Sequence, residues 1–340
     1  MQHKGDSECL LGGDTSDEAC GFEKLPYNSF AGVGRIAADG GLALGTSLAP
    51  DPRGMVREAL KKGLLIQDAV GENSLKYGIV ASTDTHLGTP GLATEDEAKG
   101  HGGAGARNTV GLPDDLEFNP GGLAVIWAEE NSRDAIFAGM QRREAYGTSG
   151  TRPVVRFFGG WDYGADLCET GDLAAAGYAG GVPMGGDLMA APKGAGAPRF
   201  VVSALQDPGT PSAPGTPLQR VQVVKGGVED GKALEKVYDV AGGDNGASVD
   251  TQTCERSGEG SGSLCAVWQD PEFDAGQGAF YYARVLENPT CRWSQQICVD
   301  SGVSCDDPST ITPGFEGCCS PAHVPVVQER AWTSPIWYTP

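Results

Sequence analysis

The chain has 340 residues, long for one hydrophobic core, and its 39% apolar content is low for a globular protein yet far above that of a disordered one. A formal charge of −20 repels phosphate backbones and anionic lipid, which argues against nucleic-acid and membrane-surface partners. No apolar run reaches the roughly 18–20 residues that span a bilayer, and the 52 glycines and 22 prolines point to many turns and long ordered loops.

Residues 1–50 are polar and glycine-rich, with few periodic segments. The opening Met1-Gln2-His3-Lys4-Gly5-Asp6 lacks the apolar stretch of a secretion signal. Beyond Pro52, Val56, Ala59, Leu60 and Leu64 recur at helical spacing, with Asp51 placed to cap the helix and Pro52 at its first position. Lys76-Tyr77-Gly78-Ile79-Val80-Ala81-Ser82 reads as a short buried strand, followed by Asp84-Thr85-His86 and a long Gly/Asp-rich loop over 88–122. Leu123-Ala124-Val125-Ile126-Trp127 reads as a second buried strand, and 132–145 as a helix with Ala135, Ile136 and Met140 on one face. Helix, strand, helix, strand is the signature of a parallel α/β unit, here assigned to 1–150.

From residue 151 to 340 the texture changes. Candidate strands at 153–158, 199–205, 218–224, 235–240, 279–286 and 331–338 are joined by Gly/Pro/Asp-rich loops, and helical periodicity is nearly absent. The expectation is an antiparallel, sandwich-like domain packed on the α/β part. No internal repeat is visible.

Of the ten cysteines, Cys9, Cys20 and Cys168 are scattered, whereas Cys254, Cys265, Cys291, Cys298, Cys305, Cys318 and Cys319 fall within the last 90 residues. Dense cysteine in loop-rich sequence suits disulfides and an oxidising, periplasmic or extracellular compartment. Zinc is the alternative, but no C-x2-C pair exists and His323 is the sole histidine nearby. Cys254 with Cys265, Cys291 with Cys298 and Cys9 with Cys20 are plausible local bridges, whereas the adjacent Cys318 and Cys319 call for different partners. Cysteine staples without an export signal suggest a preceding segment.

Ser82-Thr83-Asp84-Thr85-His86 is the most chemically loaded stretch. In extended backbone, residues two apart face the same side, so Asp84 and His86 can reach one cation together. A carboxylate with an imidazole suits zinc, manganese or iron in a catalytic site. The plainer alternative is an aspartate capping a loop beside a solvated histidine.

Tyr77-Gly78-Ile79-Val80-Ala81-Ser82-Thr83-Asp84-Thr85-His86-Leu87-Gly88-Thr89-Pro90-Gly91 resembles the last metal motif of the PHP (polymerase and histidinol phosphatase) superfamily, and more closely the DUF3604 family of PHP-like proteins. The likeness continues through Gly122-Leu123-Ala124-Val125-Ile126-Trp127-Ala128-Glu129-Glu130-Asn131-Ser132-Arg133, Arg142-Arg143-Glu144-Ala145-Tyr146-Gly147-Thr148-Ser149-Gly150-Thr151-Arg152, Tyr238-Asp239-Val240-Ala241-Gly242-Gly243-Asp244-Asn245-Gly246-Ala247-Ser248 and Glu329-Arg330-Ala331-Trp332-Thr333-Ser334-Pro335-Ile336-Trp337-Tyr338. The resemblance implies a distorted (β/α) barrel with metals at its mouth, Asp84 and His86 as a ligand pair and His3 as an earlier ligand. It also implies hydrolysis of an ester or phosphoester in a small, possibly anionic, molecule. The opening H-x-H motif of that superfamily is absent from these residues, so the expectation is the C-terminal portion of such a barrel, with the N-terminal half as a potential partner.

Three further residues are candidates. His101, in Lys99-Gly100-His101-Gly102-Gly103, is a third ligand or proton carrier, or a solvated loop histidine. Glu129 offers a carboxylate after a strand, or simply favours a helix N-terminus. Arg152, closing Gly147-Thr148-Ser149-Gly150-Thr151, completes an anion cradle or a structural ion pair. A non-catalytic extracellular binding domain with a vestigial metal site is the rival reading.

Overall fold

The computed structural model describes residues 1, 4–12, 15–24, 52–83, 93, 108–114, 116, 119–169, 171–211 and 213–340. Their organising element is the strand Ala279–Glu287, every residue of which is buried. Its aromatic and β-branched sequence fits a strand covered on both faces. Phe280, Tyr282 and Arg284 point to one face, while Tyr281, Ala283 and Val285 point to the other.

Around this strand runs an eight-stranded sheet. One edge of Ala279–Glu287 pairs with the long strand Leu218–Glu229, which pairs in turn with Lys232–Gly242. The other edge pairs with Arg330–Thr333 and Ile336–Tyr338. The expected single strand over 331–338 is thus broken at Ser334-Pro335, since proline has no N–H for a ladder. Arg330–Thr333 carries the sheet on to Ala145–Thr148 and Leu123–Ile126. Among the described residues, the parallel pairing of Ile336–Tyr338 with Asp187–Leu188 is the one exception to an antiparallel sheet. Four more strands, Ser263–Gln269, Arg199–Leu205, Val154–Gly160 and Gly181–Pro183, form a second antiparallel sheet in that order.

The two sheets close on a shared core that includes Phe157, Phe200, Val202, Val221, Val223, Tyr281 and Val285. Phe200 lies 4.2 Å from Tyr281, centroid to centroid, which bridges the layers. The opposite face of the large sheet presents Phe280, Tyr282, Val224, Trp332 and Trp337 to Leu60 and Leu64 of helix α1 (Val56–Val70). The architecture is therefore mixed α/β and rich in antiparallel sheet, with four α-helices among the described residues. These residues form no closed barrel.

Several expectations are corrected. Helix α1 begins at Val56, after a 3-10 turn Pro52–Gly54, and Met55 at its N-cap offers no side-chain bond. The N-terminal segment caps it instead: Val56 N–H donates to the Ser7 carbonyl at 2.8 Å and Arg57 N–H to the Glu8 carbonyl at 2.9 Å. Asp51, the expected cap, lies outside the described residues. Residues 76–83 enter no ladder; Ile79 N–H donates to Ser334 Oγ and Gly122 N–H to the Ser82 carbonyl, each at 2.8 Å. The expected parallel unit is antiparallel. Trp127 N–H donates to the Glu144 carbonyl at 2.9 Å, closing an excursion that starts and ends at the same end of the strand pair. Helix α2 (Arg133–Gln141) is thus inserted in a hairpin rather than crossing over, and it stops short of 145, where Ala145–Thr148 is strand. Beyond residue 151 two helices occur where periodicity was faint, α3 (Leu173–Gly180) and α4 (Trp293–Asp300).

All ten cysteines are bridged. Cys9 joins Cys20, and Cys318 and Cys319 take the separate partners Cys298 and Cys305. The expected local pairs of Cys254 and Cys291 are replaced by Cys168–Cys265 and Cys254–Cys291. Cys265 sits on a sheet strand whose contacts include the Leu167–Glu169 turn, so its nearest sulfur is distant in sequence.

The N-terminal segment is fastened to the aromatic face by buried charge. Glu8 Oε1 accepts from Arg57 Nη2 at 2.6 Å, Tyr282 Oη at 2.6 Å and Arg284 Nη1 at 3.0 Å, and Oε2 accepts from Trp332 Nε1 at 2.6 Å. Asp17 adds a second carboxylate to the same two guanidiniums. Burial raises the Glu8 carboxyl, but Arg284, Arg57 and the Tyr282 hydroxyl outweigh it and hold the group far below the usual carboxylate range.

Two outcomes are expected. Peptide mapping without reduction returns the five bridges above and no alkylatable thiol; recovery of a Cys254–Cys265 peptide contradicts this arrangement. Glu8→Ala leaves two guanidiniums buried without their shared partner and lowers stability by about 3–5 kcal/mol, measured by denaturant unfolding. A loss below about 1 kcal/mol sinks the proposed role of the network.

Candidate functional site

The sequence-predicted ligands Asp84, His86 and His3, together with His101, lie outside the described residues. Their described neighbours are informative. Thr83, immediately before Asp84, packs on Gly121, where an added Cβ would meet the Thr83 carbonyl oxygen at 2.5 Å. Gly121 has φ 84, which a side chain adopts only with strain. Gly150, with φ 141, touches the Ala93 carbonyl, and the Gly121 carbonyl lies 3.4 Å from where its Cβ would stand. Lys4, immediately after His3, is fully buried, and its Nζ donates to the Ser149 carbonyl at 2.6 Å and to Glu329 Oε1 at 2.7 Å. One corner, Gly121 with Ser149-Gly150, therefore receives the chain from residue 4, residue 83 and residue 93.

Strand pairing positions this corner. Leu123 faces Thr148, and Ala331 faces Thr148 from the other side, so Ser149 leaves the sheet between two strands. Ser149 N–H donates to the Arg330 carbonyl at 2.8 Å, and Arg330 N–H donates to Ser149 Oγ at 2.7 Å. The Ser149 hydroxyl donates to Glu329 Oε2. Lys4, Ser149 and Glu329 thus form a buried cluster. With its hydroxyl committed to Glu329 and no exposed surface, Ser149 supports the corner rather than acting as a nucleophile.

The two described candidates separate. Arg152 is exposed just past this corner, and its backbone N–H donates to Asp207 Oδ2 at 2.8 Å. Glu129 is exposed beyond the other end of the same strand pair, where Ile126 faces Ala145. Four strand residues separate the ends, roughly 10–14 Å. The structure brings Arg152 to the corner and leaves Glu129 away from it.

Glu287 is a residue that sequence reasoning missed. It ends the central strand and is fully buried beside Glu329 and Asp207, with the Thr151 hydroxyl the main neighbour that favours its charge. Burial, with the Glu329 and Asp207 charges adding to it, pushes this carboxyl from an ordinary 4.5 up to about 8. Ser149 falls within the expected anion cradle, but Lys4 and Glu329 were missed as well. Their one sequence signal is a charged pair, Glu329-Arg330, opening an aromatic strand.

Among the described residues, one group could hold a metal: Cys9, Asp17 and Cys20 place ligand atoms within 4.8 Å of one another. The thiolate, not the disulfide sulfur, ligates metal, so the Cys9–Cys20 bridge and the pairing of Asp17 with Arg57 and Arg284 withhold all three. No described helix is long and apolar enough to cross a membrane.

Glu287 gives a pH test. The folded protein keeps a proton that the unfolded chain releases above pH 4.5, so stability is lost as pH rises from about 4.5 to about 8. Glu287→Gln cannot ionise and removes that loss. Its Tm gain over the parent is expected to be smallest near pH 4.5 and to grow to a plateau above pH 8 by scanning calorimetry; a gain independent of pH contradicts the assignment.

No curated protein and no solved structure matches the chain. Residues 1–340 match the family described as "Protein of unknown function (DUF3604)". With the match running the length of the chain, this protein belongs to the DUF3604 family.

Proposed function

We propose that the corner at Gly121 and Ser149-Gly150 is the floor of a metal-dependent hydrolase site of PHP type, acting on an ester or phosphoester of a small molecule. The observation that carries this reading is the meeting of Lys4 and Thr83 at that corner, since His3 and Asp84 are the next residue along the chain from each. His3, Asp84 and His86 offer two imidazoles and a carboxylate, a donor set that fits zinc, manganese or iron, and three protein ligands are the usual minimum for catalysis. A divalent cation there supplies Lewis acidity that polarises the scissile group and eases deprotonation of the attacking water.

The chain's own residues do the rest. Arg152, exposed beside the corner, steadies an anionic group of the substrate. His101 serves as a proton carrier, its ordinary titration lying near neutrality. The Lys4–Glu329–Ser149 cluster holds the floor still, which keeps the ligands in one geometry. The phosphoester preference rests on the likeness to the superfamily rather than on a described residue. A net charge of −20 favours small substrates over polyanionic polymers. The five disulfides support an extracellular or periplasmic setting.

Calorimetric titration of chelator-stripped protein with zinc and manganese, followed by chromogenic phosphoesters and carboxyl esters, tests the reading. One ion is expected to bind, with Asp84→Asn and His86→Ala each weakening it at least ~10–100-fold, the loss typical even of residues that merely support ligands. Turnover is expected to follow metal content. Equal binding by the parent and the double variant removes the metal site. Tight binding with no turnover of any ester favours a binding domain with a vestigial site.

A further inference from the structure

A cavity of about 490 Å³, within the size range of small-ligand sites, is lined in part by the N-terminal segment at Phe22 and Lys24. Arg330 lines it, 4% exposed. Its guanidinium lies 3.9 Å over the Phe22 ring, its Nε donates to the Gln328 carbonyl at 3.2 Å and its Nη1 to the Ala19 carbonyl at 3.1 Å. Those two bonds use two of the five guanidinium donors. No carboxylate pairs with Arg330 among the described residues, although burial and the Arg284 guanidinium both work against its charge. A second cation on the same wall is also incompletely answered. Arg220 meets Asp239 only at 3.7 Å, and its Nε has no hydrogen-bond partner among the described residues.

A buried guanidinium and a half-buried one line the same cavity with their donors incompletely used, and the remaining lining fixes the character of an acceptor there. Phe22, Val326 and Val327 supply an apolar wall. Lys24 brings the lining cations to three, and Glu18, Glu23 and Asp244 match them, so the cavity has no charge excess to hold a dianion. We propose that this cavity is a binding site for an organic monoanion, a carboxylate or sulfate on an apolar body, with Arg330 and Arg220 receiving the charged end. The paired N–H groups of a guanidinium match the two oxygens of such an end. The body lies against Phe22 and the two valines. The site is distinct from the hydrolase corner and does not rest on that reading: Glu329 turns to Lys4 and Ser149, whereas Arg330 turns to Phe22 and Ala19.

Isothermal titration of the full chain in a metal chelator, with phenylacetate, phenyl sulfate and the uncharged phenylacetamide as probes, decides the matter. Both anions are expected to bind, with phenylacetamide at least ~10-fold weaker, and with Arg330→Gln costing ~10-fold or more and Arg220→Gln roughly five-fold in affinity. If Arg330→Gln does not fold, Arg220→Gln and the charge comparison carry the same test. Absence of binding by either anion at millimolar concentration overturns the proposal, as does phenylacetamide binding as well as phenylacetate. Unchanged affinity in the arginine variants does so too.

Discussion

A carboxylate enclosed by aromatic rings is tolerated only when its lone pairs are answered, and Glu8 meets that condition with two guanidiniums, a phenol and an indole. The partners come from helix α1, the central strand and the Arg330–Thr333 strand, so one side chain ties three elements to the N-terminal segment. Exchange for well-packed apolar residues could match such a network in stability. What the network adds is placement, because a single docking of residues 4–24 on the sheet satisfies Glu8 and Asp17 together. Helix α1 depends on the same docking, since its first two N–H groups are received by the Ser7 and Glu8 carbonyls.

That placement reaches both sites. Four residues before Glu8, Lys4 enters the corner beside Ser149 and Glu329. Fourteen residues after it, Phe22 becomes the wall on which Arg330 lies. Glu329 and Arg330, where the Arg330–Thr333 strand begins, thus serve two regions with neighbouring side chains. The arrangement is economical and also fragile, because a shift of the N-terminal segment displaces a wall of each.

The parts of the fold readable in the sequence are those in which period and burial agree. The strand at 199–205 was placed at its observed bounds, and the expected strand at 279–286 falls one residue short of the observed end of the central strand. Pairing direction was not readable, because strand, helix and strand in succession describe an inserted hairpin as well as a crossover; the distinction lies in the Trp127 to Glu144 bond, which leaves no periodic trace. Strand Ser263–Gln269 was missed because its alternation is masked by intermediate burial at five of its seven positions. Disulfide pairing failed where loop length was the guide, since sheet packing brings Cys168 to Cys265 across 97 residues. At the corner, Arg152 was visible as a cation beside a turn. Lys4, Glu287 and Glu329 were not, because a buried charge is indistinguishable in sequence from a solvated one until its partners are known.

The N-terminal segment has little apolar surface with which to dock. Leu11 is 50% exposed, and Cys9 and Cys20 are its fully buried apolar residues among those described. Ordering some twenty residues costs about 1–2 kcal/mol each in backbone entropy, against which a handful of charge-assisted bonds is a narrow margin. The Cys9–Cys20 bridge removes part of that cost beforehand by restricting the free segment, contributing about 2–4 kcal/mol. Glu8 is adjacent to one cysteine and Asp17 lies three residues before the other, so oxidation brings together the two carboxylates that the guanidiniums require. The bridge thus acts on the placement of these two carboxylates, and through them on the docking of residues 4–24.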